Sequence, residues 1–152
     1  MIAETAECVT IASQLAIVID DDAEVRRLIE ATLRQVGMPV ESYSTAKDAF
    51  ASIDRLHPGV IFLDIALLRS DAIDVLLGLG KRRYGGIVQL MSGGRQSLLE
   101  AVARIGARHG VRLSKPLNKP LAQDAILRAV GGLRSIGGLE QGDHTLPQSS
   151  LR

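Results

Sequence analysis

Leu15-Ala16-Ile17-Val18-Ile19 runs straight into Asp20-Asp21-Asp22. Five consecutive apolar residues leave no polar face, so the stretch predicts a strand buried on both sides, as in parallel sheets covered by helices. The period then changes. Apolar residues at Val25, Leu28, Ile29, Leu33 and Val36 recur at helical spacing, and Gly37 follows as a left-handed stop. Asp22 stands where a side chain can cap that helix and meet the positive end of its dipole. A buried strand, an acidic turn and an amphipathic helix make one unit.

The unit recurs along the chain. Val40 to Tyr43 is a short strand, Ser44 or Thr45 caps a helix striped by Ala49, Phe50, Ile53 and Leu56, and His57-Pro58-Gly59 ends it. Val60 to Leu63 is a strongly apolar strand that closes on Asp64. Ile73, Leu76, Leu77 and Leu79 mark a third helix closed by Gly80 and the Tyr84-Gly85-Gly86 turn. Ile87 to Met91 is a strand that ends on Ser92-Gly93-Gly94, and Leu98, Ala101, Val102 and Ile105 mark a helix stopped near Gly110. Val111 to Leu117 reads as a ragged fifth strand interrupted by Pro116. Leu121, Ile126, Ala129 and Val130 face inward on a last helix. Five strands alternating with five helices predict an α/β fold: a five-stranded, parallel, doubly wound sheet in three layers, α/β/α.

Composition agrees with one such domain in 152 residues, expected over residues 14–133 between a leader at 1–13 and a polar tail at 134–152 with no output domain. Hydrophobic residues make up 46% and charged residues 23%, which excludes a disordered chain. No apolar run is long enough to span a membrane, no basic segment opens the chain, and Cys8 is the only cysteine, so the expected location is cytoplasmic. The charge is uneven: residues 1–64 carry 11 acidic and 5 basic residues, and residues 95–134 carry 8 basic and 2 acidic. The basic residues are spread out with no aromatics between them, so direct nucleic-acid binding is not expected.

Doubly wound sheets collect their chemistry at the C-terminal ends of the strands. Asp20, Asp21 and Asp22 lie there, with Asp64, Ser92 and a Lys-Pro pair, either Lys115-Pro116 or Lys119-Pro120. Carboxylates gathered at one sheet edge repel unless a cation sits among them, and an all-oxygen donor set suits Mg²⁺. None of the three histidines falls at a strand end, which argues against zinc. Asp64 is then a candidate nucleophile of the kind that forms an aspartyl phosphate, with a metal ion, a lysine and a hydroxyl to meet the phosphoryl oxygens. Read one at a time, these residues also serve as ordinary turn and cap residues.

Taken together, the motifs resemble the receiver domain of two-component response regulators, over roughly residues 14 to 133. Asp20 and Asp21 match the family's acidic pair, Asp64 its phosphoacceptor, Ser92 its strand-four hydroxyl, and one Lys-Pro its strand-five lysine. The resemblance implies a flavodoxin-like fold and direct Mg²⁺ ligation by Asp21 and Asp64. Asp20 would act through water, and the Ala66 carbonyl would be a further ligand. It also implies a phosphohistidine donor, either a histidine kinase or a histidine phosphotransfer protein, an unspecified downstream protein and a signalling rather than enzymatic role. A homodimer is compatible with it.

For the lysine, Lys119 is favoured over Lys115, because apolar residues six and ten positions past Pro120 are Ile126 and Val130, whereas those past Pro116 are Ala122 and Ile126. Pro120 is then the cis-proline the resemblance implies. Against Lys119, Lys115 lies nearer the family's usual distance from Ser92. Leu68 and Ala72 stand where the family has Pro and Gly, although Asp71 fits the usual acid. Residues 111–118 lack the aromatic that often couples to the hydroxyl. These departures keep a phosphorylation-independent adaptor open as an alternative. An aspartyl-phosphate phosphatase of the haloacid-dehalogenase type is less favoured, since Ala66 occupies the place of its general acid. An FMN carrier is disfavoured because Asp20-Asp21-Asp22 would repel its phosphate.

Overall fold

The computed structural model describes residues 15–67 and 71–131, so the expected leader and tail, and Leu68, lie outside the described residues. Strands β1 (Ala16–Ile19), β2 (Val40–Tyr43), β3 (Val60–Asp64) and β4 (Ile87–Ser92) alternate with helices α1 (Ala23–Gln35), α2 (Ala46–Leu56), α3 (Asp71–Lys81) and α4 (Gln96–Arg108). Two short strands follow, β5 (Arg112–Leu113) and β6 (Leu117–Asn118), and then helix α5 over 123–131. The sheet is parallel in the order β2-β1-β3-β4-β5, with β6 also paired to β4.

Alternation along the strands divides the core in two. Ile17, Ile19, Ile61, Leu63, Val88 and Leu90 pack with Ala49, Ile53, Val75, Leu76, Leu79, Leu99 and Val102, so α2, α3 and α4 cover one face. Ala16, Val18, Val60, Phe62 and Met91 pack with Ile29, Leu33, Ile126 and Val130, so α1 and α5 cover the other. Three layers result, with apolar strands buried on both sides.

The expected fifth strand is two pieces. Pro116 has no N–H to donate to a ladder, and the chain leaves the sheet between Leu113 and Leu117. Gln89, buried in the middle of β4, fills the gap. Its Nε2 donates to the Lys115 carbonyl at 2.5 Å and its Oε1 accepts from Ser114 Oγ at 2.7 Å, while Ser114 N donates to the Val88 carbonyl. A side chain replaces the missing ladder bonds.

Two helix boundaries also differ from expectation. Val36 is not on the buried stripe but caps α1 and is exposed, while Thr32 is buried with its hydroxyl donating to the Leu28 carbonyl. Gly80 does not close α3; it lies inside the helix, where a Cβ would come within 2.8 Å of the His109 carbonyl oxygen. Thr45 is the α2 cap, its hydroxyl accepting from Asp48 N.

Candidate functional site

β1 and β3 are neighbours in register, Ile19 opposite Leu63, so the residues that follow each strand emerge side by side. Asp20 and Asp64 are both buried and Asp21 is exposed. One carboxylate oxygen from each lies within 4.8 Å of the other two. The loops hold these groups through their own backbone. Asp20 Oδ1 accepts from Asp22 N at 2.9 Å, and Asp64 Oδ1 accepts from Ala66 N at 3.1 Å. Asp22 turns away and caps α1, accepting from Glu24 N. Arg26, one turn into α1, donates to the Asp20 carbonyl at 2.8 Å.

Lys119 closes the cluster. Its Nζ is 2.8 Å from Asp20 Oδ2 and 3.3 Å from Asp64 Oδ1, and its backbone N donates to the Ser92 carbonyl at 2.7 Å. The Lys119–Pro120 peptide is cis. Lys115 is brought elsewhere: its side chain is exposed and its carbonyl is the acceptor for Gln89. Ser92 ends β4 fully buried, with its Oγ accepting from Gly94 N at 3.2 Å. Ala66 is exposed between Ile65 and Leu67, and Gly94 takes a left-handed φ of 112° with nothing near its missing Cβ.

Burial raises the Asp20 carboxyl above its ordinary value, and the Asp64 charge adds to this, although Lys119 and the Asp22 N–H oppose it. For Lys119, burial works against the ammonium. The hydrogen bond and charge of Asp20, with the charge of Asp64, outweigh it and raise the lysine above its ordinary value. These directions describe a cation held by two carboxylates in a half-dry setting. Three clustered carboxylates offer hard oxygen donors at a spacing one small divalent ion can bridge, so the donor set fits Mg²⁺.

Sequence comparison matches residues 16–130 to the response regulator receiver domain. The chain belongs to that family. Among curated proteins, PilG of Pseudomonas aeruginosa is 30% identical to this receiver over 115 residues, covering 74% of this chain and 82% of PilG. A probable transcriptional regulator, ycf27 of Porphyridium aerugineum, is 32% identical over 74 residues, covering 49% of this chain and only 31% of that protein.

Solved structures similar to this receiver share its fold. The signal receiver domain of a putative LuxO repressor protein from Vibrio parahaemolyticus superposes with a TM-score of 0.71 at 19% identity, covering 88% of this chain and 98% of that one. A CheY-like receiver domain protein from Methanospirillum hungatei gives 0.70 at 20% identity, covering 87% and 98%.

Arg26 and Gln89 were not among the site residues expected from sequence. Arg26 lies among the other charges of α1 and carries no signal of its own. Gln89 does carry one: it is the single polar residue inside an apolar strand, and a strand interrupted by proline lies next to it.

Proposed function

We propose that this receiver accepts a phosphoryl group on Asp64 from a phosphohistidine of a histidine kinase or phosphotransfer protein, and passes its state on by docking or by phosphorelay. The observation that carries the reading is the Lys119 ammonium held between Asp20 and Asp64. A buried carboxylate facing a fixed cation and a sheet-end hydroxyl is suited to attack phosphorus and to meet the charge that spreads over the equatorial oxygens. In this reading Asp64 Oδ is the nucleophile, Lys119 neutralises phosphoryl oxygen, and Ser92 Oγ donates to it.

Asp21 and Asp64 with the Ala66 carbonyl would hold Mg²⁺, and Asp20 would contribute through water. When bound, the ion supplies further positive charge toward the phosphoryl group. Asp22 has another task, capping α1. Ala66 offers only a methyl group and Gly94 no side chain to block water, which favours a short-lived phosphorylated state.

The test is a titration with beryllofluoride, a phosphoryl mimic, in the presence of Mg²⁺, followed by amide NMR shifts. Wild type is expected to shift at Asp64, Ser92 and Lys119 with saturation. Equal shifts in Asp64→Asn would overturn the assignment.

A further inference from the structure

The end of the sheet opposite Asp64 carries a cationic groove, and its backbone points to a use beyond folding. The groove has a volume of about 450 Å³ and runs between the C-terminal ends of α2 and α3, past His57, Arg82, Arg83, Tyr84 and Gly85. Arg112 reaches its rim, with Nη1 donating to the Gly85 carbonyl. Arg82 is already paired within the chain. Its guanidinium stacks over Phe50 at 4.3 Å from the ring centre and grips the Asp54 carboxylate with two N–H groups, at 2.7 and 3.2 Å. That grip holds Asp54 below the ordinary carboxylate range.

Other cations nearby lack a carboxylate partner among the described residues. Lys81, Arg83 and Arg112 are exposed, and among the described residues none lies within ion-pair distance of a carboxylate. Three helices end in the same hydrogen-bonded motif. In α1, Gly37 N bonds the Arg34 carbonyl and Met38 N the Leu33 carbonyl; in α4, Gly110 N bonds Ala107 and Val111 N bonds Gly106; in α3, Arg83 N bonds Gly80 and Tyr84 N bonds Leu79. The pivotal residue is left-handed each time, and it is glycine at 37 and 110, the residue that suits this backbone. At the groove it is Arg83, with φ 53°, and His57 on the facing rim is left-handed as well, with φ 51°. Glycine suits the backbone at Arg83 better than arginine does, and the chain carries there an exposed guanidinium at the groove.

The geometry points to this groove as a docking site for an acidic polypeptide segment of a partner protein, gripped through its carboxylates by Arg83 and Arg112 as Arg82 grips Asp54. Planar guanidinium forks match carboxylates in this way. A single-stranded nucleic acid would call for exposed aromatics to stack on, but Phe50 lies under Arg82 and the Tyr84 hydroxyl is turned to the Pro58 carbonyl. A membrane surface would call for exposed apolar residues beside the cations, and among the described residues the exposed large hydrophobic is Val36, on α1.

The experiment is fluorescence anisotropy of a labelled oligoglutamate peptide titrated with the full chain and with the variants Arg83→Glu, Arg83→Gly, Arg112→Glu and Asp64→Asn. Arg83→Glu and Arg112→Glu are each expected to weaken binding about tenfold. Arg83→Gly is expected to weaken it less while raising the melting temperature, and Asp64→Asn is expected to bind as wild type, which separates this surface from the phosphoryl site. Binding that is absent in wild type, or is the same with and without Arg83 and Arg112, would overturn the proposal. So would tighter binding of a single-stranded oligonucleotide of equal charge, or of phosphatidylglycerol vesicles.

Discussion

Lys119 Nζ lies 2.8 Å from Asp20 Oδ2, joining residues 99 apart in the chain and anchoring the loop after β6 to the loop after β1. Asp20 is fully buried, so this cation is what makes its charge tolerable there. Truncating Lys119 to alanine leaves two buried carboxylates facing one another. The expected cost is about 2 kcal/mol, less than for a wholly buried pair because Lys119 is partly exposed. Mg²⁺ is expected to restore more stability to Lys119→Ala than it adds to wild type, as measured by urea unfolding with and without the ion. Lys115→Ala, altering an exposed side chain, is expected to change stability by no more than about 0.5 kcal/mol.

Gln89→Leu is expected to destabilise by about 1–3 kcal/mol, since it strips the Lys115 carbonyl and the Ser114 hydroxyl of their buried partner. Hydrogen exchange is expected to rise at 114–118, the segment Gln89 ties to β4, and to stay unchanged in β1 and β2. A uniform rise across the sheet would contradict the clasp.

Much of this architecture is legible in the residues. Continuous apolar runs at 15–19 and 60–63 read as doubly covered strands, and the acids that end them meet at one edge because the strands are parallel neighbours. The choice between Lys119 and Lys115 rested on how Ile126 and Val130 would face the core, and both are buried against the α1 side of the sheet. Less was legible around 111–118, where β5 and β6 have two residues each and the link between them is a side chain from a different strand. Periodicity carries no information on such a bridge. Val36 has the helical spacing of a core residue but falls at the cap, where the chain turns away. In the sequence Arg83 is one charge among several, Lys81 and Arg82 preceding it, because a left-handed backbone is marked in sequence only when glycine fills it.

Burial pushes the Tyr84 phenol above its ordinary value. The folded chain therefore holds this proton more tightly than the unfolded chain, and that stability is fully present below the ordinary tyrosine value and is lost as pH rises from there through the raised folded value. Tyr84→Phe gives up the hydrogen bond to the Pro58 carbonyl, about 1 kcal/mol at neutral pH. Its loss of stability above about pH 10 is expected to be shallower than that of wild type. Urea midpoints across neutral and alkaline pH check this, and parallel curves would contradict it.

The role of Asp64 is the claim on which the functional account depends. Incubation with acetyl phosphate and Mg²⁺, followed by intact-mass measurement, tests it most directly. The account predicts that wild type gains the mass of one phosphoryl group, that chelating the metal abolishes the gain, and that Asp64→Asn gains nothing. A wild type that stays unmodified, or an Asp64→Asn variant modified to the same extent, would contradict it.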